Sequence, residues 1–320
     1  MDALSEVFRL ARFKSEVVVD ITAAAPWCVS VPSTASSGAL TAHLVLAGGC
    51  TLKAGQQDGV TLEEADIAIV TRGDAHLVGN PNDAPASSLW ALVKAPIAGE
   101  LPTIRIGRDG KATRWIVLSM DCERHLADTL IDALPPVLRV NLRGSAPLAW
   151  LADALGLHLS SSDAPSVGGD AVRSSLAALV IVEALRRYIQ SLPAGGTGWL
   201  AGLNDRYVGR ALALVHGRPA EPWTVERLGR QVGLSRSALA ERFGEVMGEP
   251  IIAFLTRWRL QVAAETLLTT PRSIESVATD AGYESPGAFS RAFKRMFGRA
   301  PSAWRKRPRR KRSPRAGTSS

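Results

Sequence analysis

The 320-residue chain is long enough for two domains, and its 46% hydrophobic content suits a folded globular protein. No apolar run reaches the roughly 18 residues of a membrane helix. The amino terminus, MDALSEVFRLARFKSE, mixes acids with bases and lacks a secretory signal pattern, so a cytoplasmic location is expected.

The net charge of +8 is unevenly spread. Residues 1–203 carry 16 basic and 20 acidic side chains, residues 204–304 carry 14 and 10, and residues 305–320 carry 8 and none, a balance of −4, +4 and +8. Such asymmetry suits a polyanion partner for the carboxy-terminal third, because each neutralised phosphate releases condensed counterions. For the tail alone, a solvated disordered segment is an equally good reading. Cys28, Cys50 and Cys122 lie far apart without a Cys-x-x-Cys pair, so neither a disulfide framework nor a zinc knuckle is expected.

From residue 39 to 80, short β-type runs alternate with turns. Apolar and polar residues alternate in Thr41–Val45 and Asp66–Val70, around a GQQDG turn. Further strands are predicted at Val17–Ile21, Leu89–Val93 and Thr113–Leu118, which together suggest a small sandwich or barrel. The stretch EEADIAIVTRGDAH resembles the second motif of the cupins, with Asp66, Gly73 and His76 in step and His43 on an earlier strand. A metal-holding cupin would supply a His-x-His pair and a carboxylate near His43, and both are lacking. Two histidines leave most of a coordination shell to water. His43 and His76 are therefore read as pocket or core residues that could contact a small-molecule effector, and neither a metal nor a cofactor is expected.

After Met120 the pattern turns helical. CERHLADTLIDALPPVLRV and APLAWLADALGL are amphipathic, and SSSDAPSVGG reads as a loop. The run DAVRSSLAALVIVEALRRYIQSL has a wide apolar face through Val172, Leu176, Leu179, Val180, Val182, Leu185 and Ile189, with Asp170 placed to cap it. Such a helix packs on the barrel or pairs with a second copy of the chain. GGTGWLAGLNDRYVG reads as a linker, with the domain boundary near 195–204.

An internal repeat follows. TVERLGRQVGLSRSALAERFGEVMGEP and SIESVATDAGYESPGAFSRAFKRMFGRAP superpose with Leu228 on Val277, Gly233 on Gly282, Ser235 on Ser285, Leu239 on Phe289 and Phe243 on Phe293. Each copy reads as a helix, a tight glycine turn and a serine-capped second helix, the helix-turn-helix pattern. Leu228, Val232, Leu239 and Phe243 would close the first small core, and Ile274, Val277, Ala278, Phe289 and Phe293 the second. Between them, PIIAFLTRWRLQVAAETLLTT reads as one helix; Ile251–Leu268 would span about 27 Å. Two reading helices need about 34 Å between successive major-groove segments, so this connector is of suitable length.

These residues resemble the AraC/XylS family of bacterial transcription regulators, marked by two helix-turn-helix motifs joined by a long helix. The resemblance rests on Ser235, Leu239, Phe243, Gly248 and Pro250, on Arg259, Ala263 and Leu267–Leu268 of the connector, and on AGYESPGAFSRAFKRMFGRAP. It implies an α+β multidomain chain: a cupin-like sensor barrel at 1–120, a helical connector and candidate dimerisation region at 121–203, an all-α double helix-turn-helix domain at 204–304, and a basic tail. It also implies double-stranded DNA as partner, a small-molecule or redox effector, a homodimer, and RNA polymerase as a further partner if the protein activates. At the base-reading positions stand Arg236, Ser237 and Glu241 of the first motif and Gly287, Ser290 and Arg291 of the second. Lys294, Arg295 and Arg299 read as phosphate contacts, which position without specifying. Gly229 and Val232 replace small alanines usual in the family, and Glu249 stands where a hydroxyl residue is usual. Two other readings stay open: a cupin metalloenzyme with a nucleic-acid-binding appendage, and a non-specific binder acting through the tail.

Overall fold

The computed structural model describes residues 2–306 apart from 12, 35–38, 56–57, 82, 94–100, 108–109, 123, 161–167 and 194. Most of the loop SSSDAPSVGG, part of the GQQDG turn and residues 307–320 of the basic tail lie outside the described residues. The chain divides into two compact bodies. One, here the barrel body, comprises Phe13–Cys122 and Leu134–Tyr188; the other, the helical body, comprises Met1–Arg12, Glu123–Ala133 and Ile189–Lys311.

Helix α1 (Ala3–Leu10) precedes the strands β1 (Lys14–Ala24), β2 (Trp27–Val31), β3 (Leu40–Ala47), β4 (Gly49–Ala54), β5 (Val60–Glu63), β6 (Asp66–Val70), β7 (His76–Asn80) and β8 (Ala86–Ser88). A single helical turn, α2 (Leu89–Leu92), leads to β9 (Thr103–Ile106) and β10 (Ala112–Asp121); β11 (Val137–Asn141) follows α3 (Arg124–Ala133). The strands form a six-stranded sheet, β11-β6-β3-β10-β1-β9, and a five-stranded sheet, β5-β4-β7-β2-β8. Pairing is antiparallel except for β1 with β9 and β2 with β8. The inner faces of both sheets contribute to one apolar core that includes Val19, Ile21, Val45, Leu52, Val70, Val78 and Val117. Trp27 and Trp115 stack within it, ring centroids 4.4 Å apart.

Two sequence expectations fail here. Leu89–Val93 was predicted as a strand, but Leu89–Leu92 is helical, which brings Leu89 and Val93, four residues apart, to one side, where both are buried. Val137–Asn141 belonged to a predicted helix and instead pairs with β6. Pro135 and Pro136 explain the break: they follow the end of α3, and their carbonyls accept from the Thr71 hydroxyl. Beyond them Leu138 and Val140 are buried and Arg139 is exposed, the two-residue period of a strand. Asp66 seals this edge, accepting from Arg139 Nε at 2.9 Å and Asn141 Nδ2 at 2.8 Å.

Helices α4 (Ala146–Ser160) and α5 (Gly169–Ser191) follow. Asp170 does not cap α5 but lies in its first turn, paired with Arg173. The wide apolar face of α5 splits: Val180, Leu185 and Ile189 are buried, whereas Val172 and Leu179 are exposed.

The helical body contains α6 (Trp199–Asn204), α7 (Arg206–Gly217), α8 (Val225–Val232), α9 (Arg236–Met247), α10 (Ile251–Thr269), α11 (Ile274–Asp280), α12 (Pro286–Phe297) and α13 (Pro301–Arg305). Residues 199–204, read as linker, thus form a helix. Asp205 caps α7, accepting from the Tyr207 and Val208 amides. Two segments distant in sequence join these helices. Helix α1 packs on α7 with Ala3 and Val7 buried, and α3 packs against α1, α6 and α10 with Ala127, Leu130 and Ile131 buried. No helix among the described residues is long and apolar enough to cross a membrane.

Candidate nucleic-acid interface

The first helix-turn-helix comprises α8 and α9. Thr224 opens α8 by accepting from the Arg227 amide at 3.1 Å, and Gly233, at φ +85°, ends it in the left-handed region that glycine tolerates. Ser235 then caps α9 through the Ala238 amide at 3.2 Å. Leu228, Val232, Leu239 and Phe243 are buried, as the repeat required. The crossing at the turn is tight: a Cβ on Gly229 would lie 2.7 Å from the Leu234 carbonyl oxygen. The Gly229 carbonyl accepts from both Gly233 and Leu234 amides at 2.9 Å. Gly229, standing where the family usually has a small alanine, is what lets α8 approach the turn.

The second motif repeats the plan with α11 and α12. Ser273 caps α11, Gly282 turns at φ +79°, and Ser285 caps α12 with Pro286 in its first turn. Val277, Ala278, Phe289 and Phe293 are buried, and Ile274 is partly so. Trp304 of α13 closes this core beside Phe293 and Phe297 and donates from Nε1 to the Ala264 carbonyl at 3.1 Å. Arg259 of the connector α10 donates to the Pro219 and Glu221 carbonyls, both at 2.6 Å. Its Nη1 lies 2.7 Å from where a Gly282 Cβ would stand, so one side chain spans from the loop before α8 to the turn before α12.

The outward faces differ in how their charges are used. On α9, Arg236 pairs with Glu226 at 2.9 Å, the Ser237 hydroxyl lies 3.2 Å from that of Ser235, and Glu241 is exposed. Arg242 of the same helix is bound to Asp205 at 2.6 Å. On α12, Gly287, Arg291, Lys294 and Arg295 are exposed, as is Arg299 just beyond it, while Ser290 is half-buried. None of these four cations has an ion-pair partner among the described residues. The Arg291 guanidinium folds back towards Gly287, 3.6 Å from where a Cβ would stand there. Thus α12 presents uncompensated positive charge and α9 does not.

Behind the first motif lies a group that sequence reading missed. His216 of α7 is fully buried among Trp258, Phe254 and Trp199, with ring centroids 4.1, 5.5 and 6.1 Å away. Neither ring nitrogen has a hydrogen-bond partner among the described residues. Burial, with Arg257 adding to it, pushes its pKa down to about 3, so the ring is neutral at physiological pH.

In the barrel body, His43 of β3 and His76 of β7 lie two residues from the core residues Val45 and Val78, hence on the same inner face. Their Nε2 atoms are 2.8 Å apart, joining the two sheets. His76 Nδ1 lies 2.8 Å from the Asp74 carbonyl, which can only accept, so the proton sits on Nδ1 and His76 Nε2 accepts from His43. His43 Nδ1 is then a buried acceptor without a partner among the described residues. Burial lowers both pKa values, His43 most strongly, so the pair is neutral. Among the described residues no group of three His, Cys, Asp or Glu could hold a metal. Cys28 is buried on β2, and burial, with the charge of Asp83 adding to it, raises its thiol pKa. The Cys50 thiol is pushed up to about 12.

Comparison with known proteins follows this division. A family model described as Cupin matches residues 2–190, and one described as Helix-turn-helix domain matches 228–307. A putative AraC-like transcription regulator of Streptomyces antibioticus is 30% identical over 313 residues, covering 96% of this chain and 99% of its own. The HTH-type transcriptional regulator AlkR of Acinetobacter baylyi is 28% identical over 311 residues, covering 95% and 99%. The RCS-specific HTH-type transcriptional activator RclR of Escherichia coli is 29% identical over 187 residues, covering 58% of this chain and 66% of its own.

Proposed function

The chain belongs to the AraC-like family of transcription regulators with a cupin-type amino-terminal half, and from that premise we propose a cytoplasmic homodimeric activator that reads a bipartite operator unequally with its two motifs. The observation that carries the reading is the contrast between α12 with the adjoining Arg299, which together present four exposed cations without an ion-pair partner among the described residues, and α9, whose Arg236 and Arg242 are held by Glu226 and Asp205. Helix α12 and the Arg299 beside it supply most of the phosphate grip and, through Arg291, a bidentate contact to guanine. Helix α9 reads with Ser237 and Glu241, and Arg236 joins only by leaving Glu226. The barrel senses and does not catalyse; the unpartnered Nδ1 of His43 beside His76 marks where a small-molecule effector would be contacted. Buried thiols with raised pKa favour such a ligand over thiol oxidation as the signal, because the thiolate is the reactive form.

Dimerisation is supported by the apolar residues that α4 and α5 leave uncovered: Trp150 and Leu157, then Val172 and Leu179, at 66%, 70%, 46% and 52% exposure. Activation, named for RclR, would add RNA polymerase as a partner. Footprinting on the promoters next to its own gene tests the function. Two protected segments one helical turn apart are expected, with the stronger under α12. Deleting residues 305–320 should weaken binding to cognate and scrambled duplexes alike; loss of discrimination on that deletion would instead place specificity in the tail. Leu157→Glu with Leu179→Glu should give a monomer in sedimentation, and an unchanged mass would refute the dimer surface.

A further inference from the structure

The connector α10 serves the two motifs with different parts of its length. Phe254 meets Phe243 of α9, ring centroids 5.9 Å apart, and Trp258 meets His216 of α7 at 4.1 Å. Leu260, Ala263, Ala264 and Leu267 belong instead to the core of the second motif, with Val277, Phe289 and Phe293. Arg259 stands between the two sets. Beside it a cavity of about 240 Å³ separates Pro219 and Ala220, of the loop before α8, from Val277 and Asp280 of α11. Packing at this point therefore leaves a gap between the motifs and does not oppose a roll of one against the other about α10.

The Arg259 guanidinium joins the two sides. Nε and Nη2 donate to the Pro219 and Glu221 carbonyls, while Nη1 and Cζ lie 2.7 and 3.1 Å from where a Gly282 Cβ would stand. Both ends of this brace are fixed to their own motif. The Glu221 carboxylate accepts from Arg227 Nη2 of α8 at 2.6 Å, and the Glu221 carbonyl also accepts from the Trp223 amide at 2.7 Å, so the loop moves with α8. The Gly282 and Tyr283 amides donate to the Thr279 and Ala278 carbonyls at 2.9 and 3.0 Å, so the turn moves with α11. Arg259 is half-buried and has no ion-pair partner among the described residues. An apolar side chain would be easier to bury there. What the guanidinium adds is a planar fork of donors that holds two carbonyls at once.

We propose that Arg259 is a positioning residue that fixes the roll of the second reading motif against the first, and with it the half-site spacing that the protein accepts. It acts through the loop before α8 and the turn before α12, without itself touching DNA. The proposal rests on the reading of both motifs on one bipartite operator and names the residue that sets its geometry. Each base pair inserted between the half-sites moves one of them by about 3.4 Å and turns it by about 34°. A braced pair of motifs cannot follow that turn, and an unbraced pair can.

The test is an anisotropy titration of the full chain on duplexes carrying the footprinted operator, with the spacing between half-sites unchanged or altered by one or two base pairs either way. The unmodified chain should lose at least about tenfold in affinity for one base pair of change, the value of one forfeited base contact. Arg259→Met, of similar length and without donors, should reduce that loss to about threefold or less. Arg259→Lys keeps the charge but cannot fork to both carbonyls, and should flatten the profile too. Affinity for duplexes with only one half-site intact should stay within about twofold in both variants, because neither reading helix is altered. Melting temperature without DNA reports on folding of each variant. A spacing profile as steep in either variant as in the unmodified chain, or a loss equal at every spacing and on single half-sites, would overturn the proposal. The bipartite reading fails separately, and this proposal with it, if the unmodified chain is itself indifferent to spacing.

Discussion

Gly229→Ala is expected to destabilise the first motif, against the ordinary helix preference. In an exposed helix interior alanine is favoured over glycine by about 1 kcal/mol. Here Gly229 is buried in α8, and the new Cβ would stand 2.7 Å from the Leu234 carbonyl oxygen and 3.3 Å from that of Ser235. Both oxygens belong to backbone, so no flexible side chain can yield. The turn must move by several tenths of an ångström, and the Leu234 amide bond to the Gly229 carbonyl, now 2.9 Å, stretches with it. Overpacking of this kind costs about 1–3 kcal/mol and a weakened hydrogen bond about 1 more, so after the propensity gain a net loss of about 1–3 kcal/mol remains. Amide hydrogen exchange read by mass spectrometry is the suitable assay, because a chain of two bodies need not unfold in one step. Protection over 225–247 should fall about fivefold to 150-fold. Peptides over 274–297 serve as the internal reference and should change little. Equal or higher protection over 225–247 would refute the argument and show that the turn yields freely.

Arg291→Ala should cost about 1–3 kcal/mol on the cognate site and relax preference at one base pair; an unchanged ratio of cognate to scrambled affinity would remove Arg291 from base reading. Lys294→Ala should weaken both duplexes equally and reduce the slope of log affinity against log salt by about 1, measured by anisotropy titration. His216 has a folded pKa of about 3, below the ordinary value of 6.5, so between these pH values the unfolded chain binds a proton that the folded chain refuses. Its contribution is therefore fully present above pH 6.5 and is lost as pH falls towards 3, at about 1.4 kcal/mol per pH unit for one proton. His216→Phe, which also removes two unpartnered buried nitrogens, should flatten the acid limb of melting temperature against pH by that one proton, and an unchanged limb would contradict the assignment.

The second reading helix was legible almost completely. Its serine cap, first-turn proline, buried phenylalanines and closing glycine are local signals, each acting within a few residues, and α12 runs from Pro286 to Phe297 as that grammar implies. The barrel strands at Thr41–Val45 and Asp66–Val70 were placed correctly as strands, but the alternation expected of half-buried strands is not realised, because both stretches are buried on both faces. Leu89–Val93 and Val137–Asn141 were not legible: an apolar run of four or five residues suits helix or strand equally, and the choice fell to the core that receives it and to the partner strand β6.

What the sequence by itself determined, then, is the pair of capped motifs, the connector between them and the basic end of the chain, because periodicity, capping and charge are properties of neighbours in sequence. Only the tertiary structure decided which charges are available to DNA. Arg236 and Arg242 count as cations in the composition, but folding places Glu226 and Asp205 beside them, and nothing comparable stands beside Arg291, Lys294, Arg295 or Arg299 among the described residues. Only the fold, likewise, brought residues 3–10 and 124–133 onto the carboxy-terminal helices, and set Pro219 and Ala220 across a cavity from Val277. The physical reason is common to both: ion pairs and cavities depend on distances between residues far apart in the chain, and no local pattern carries them.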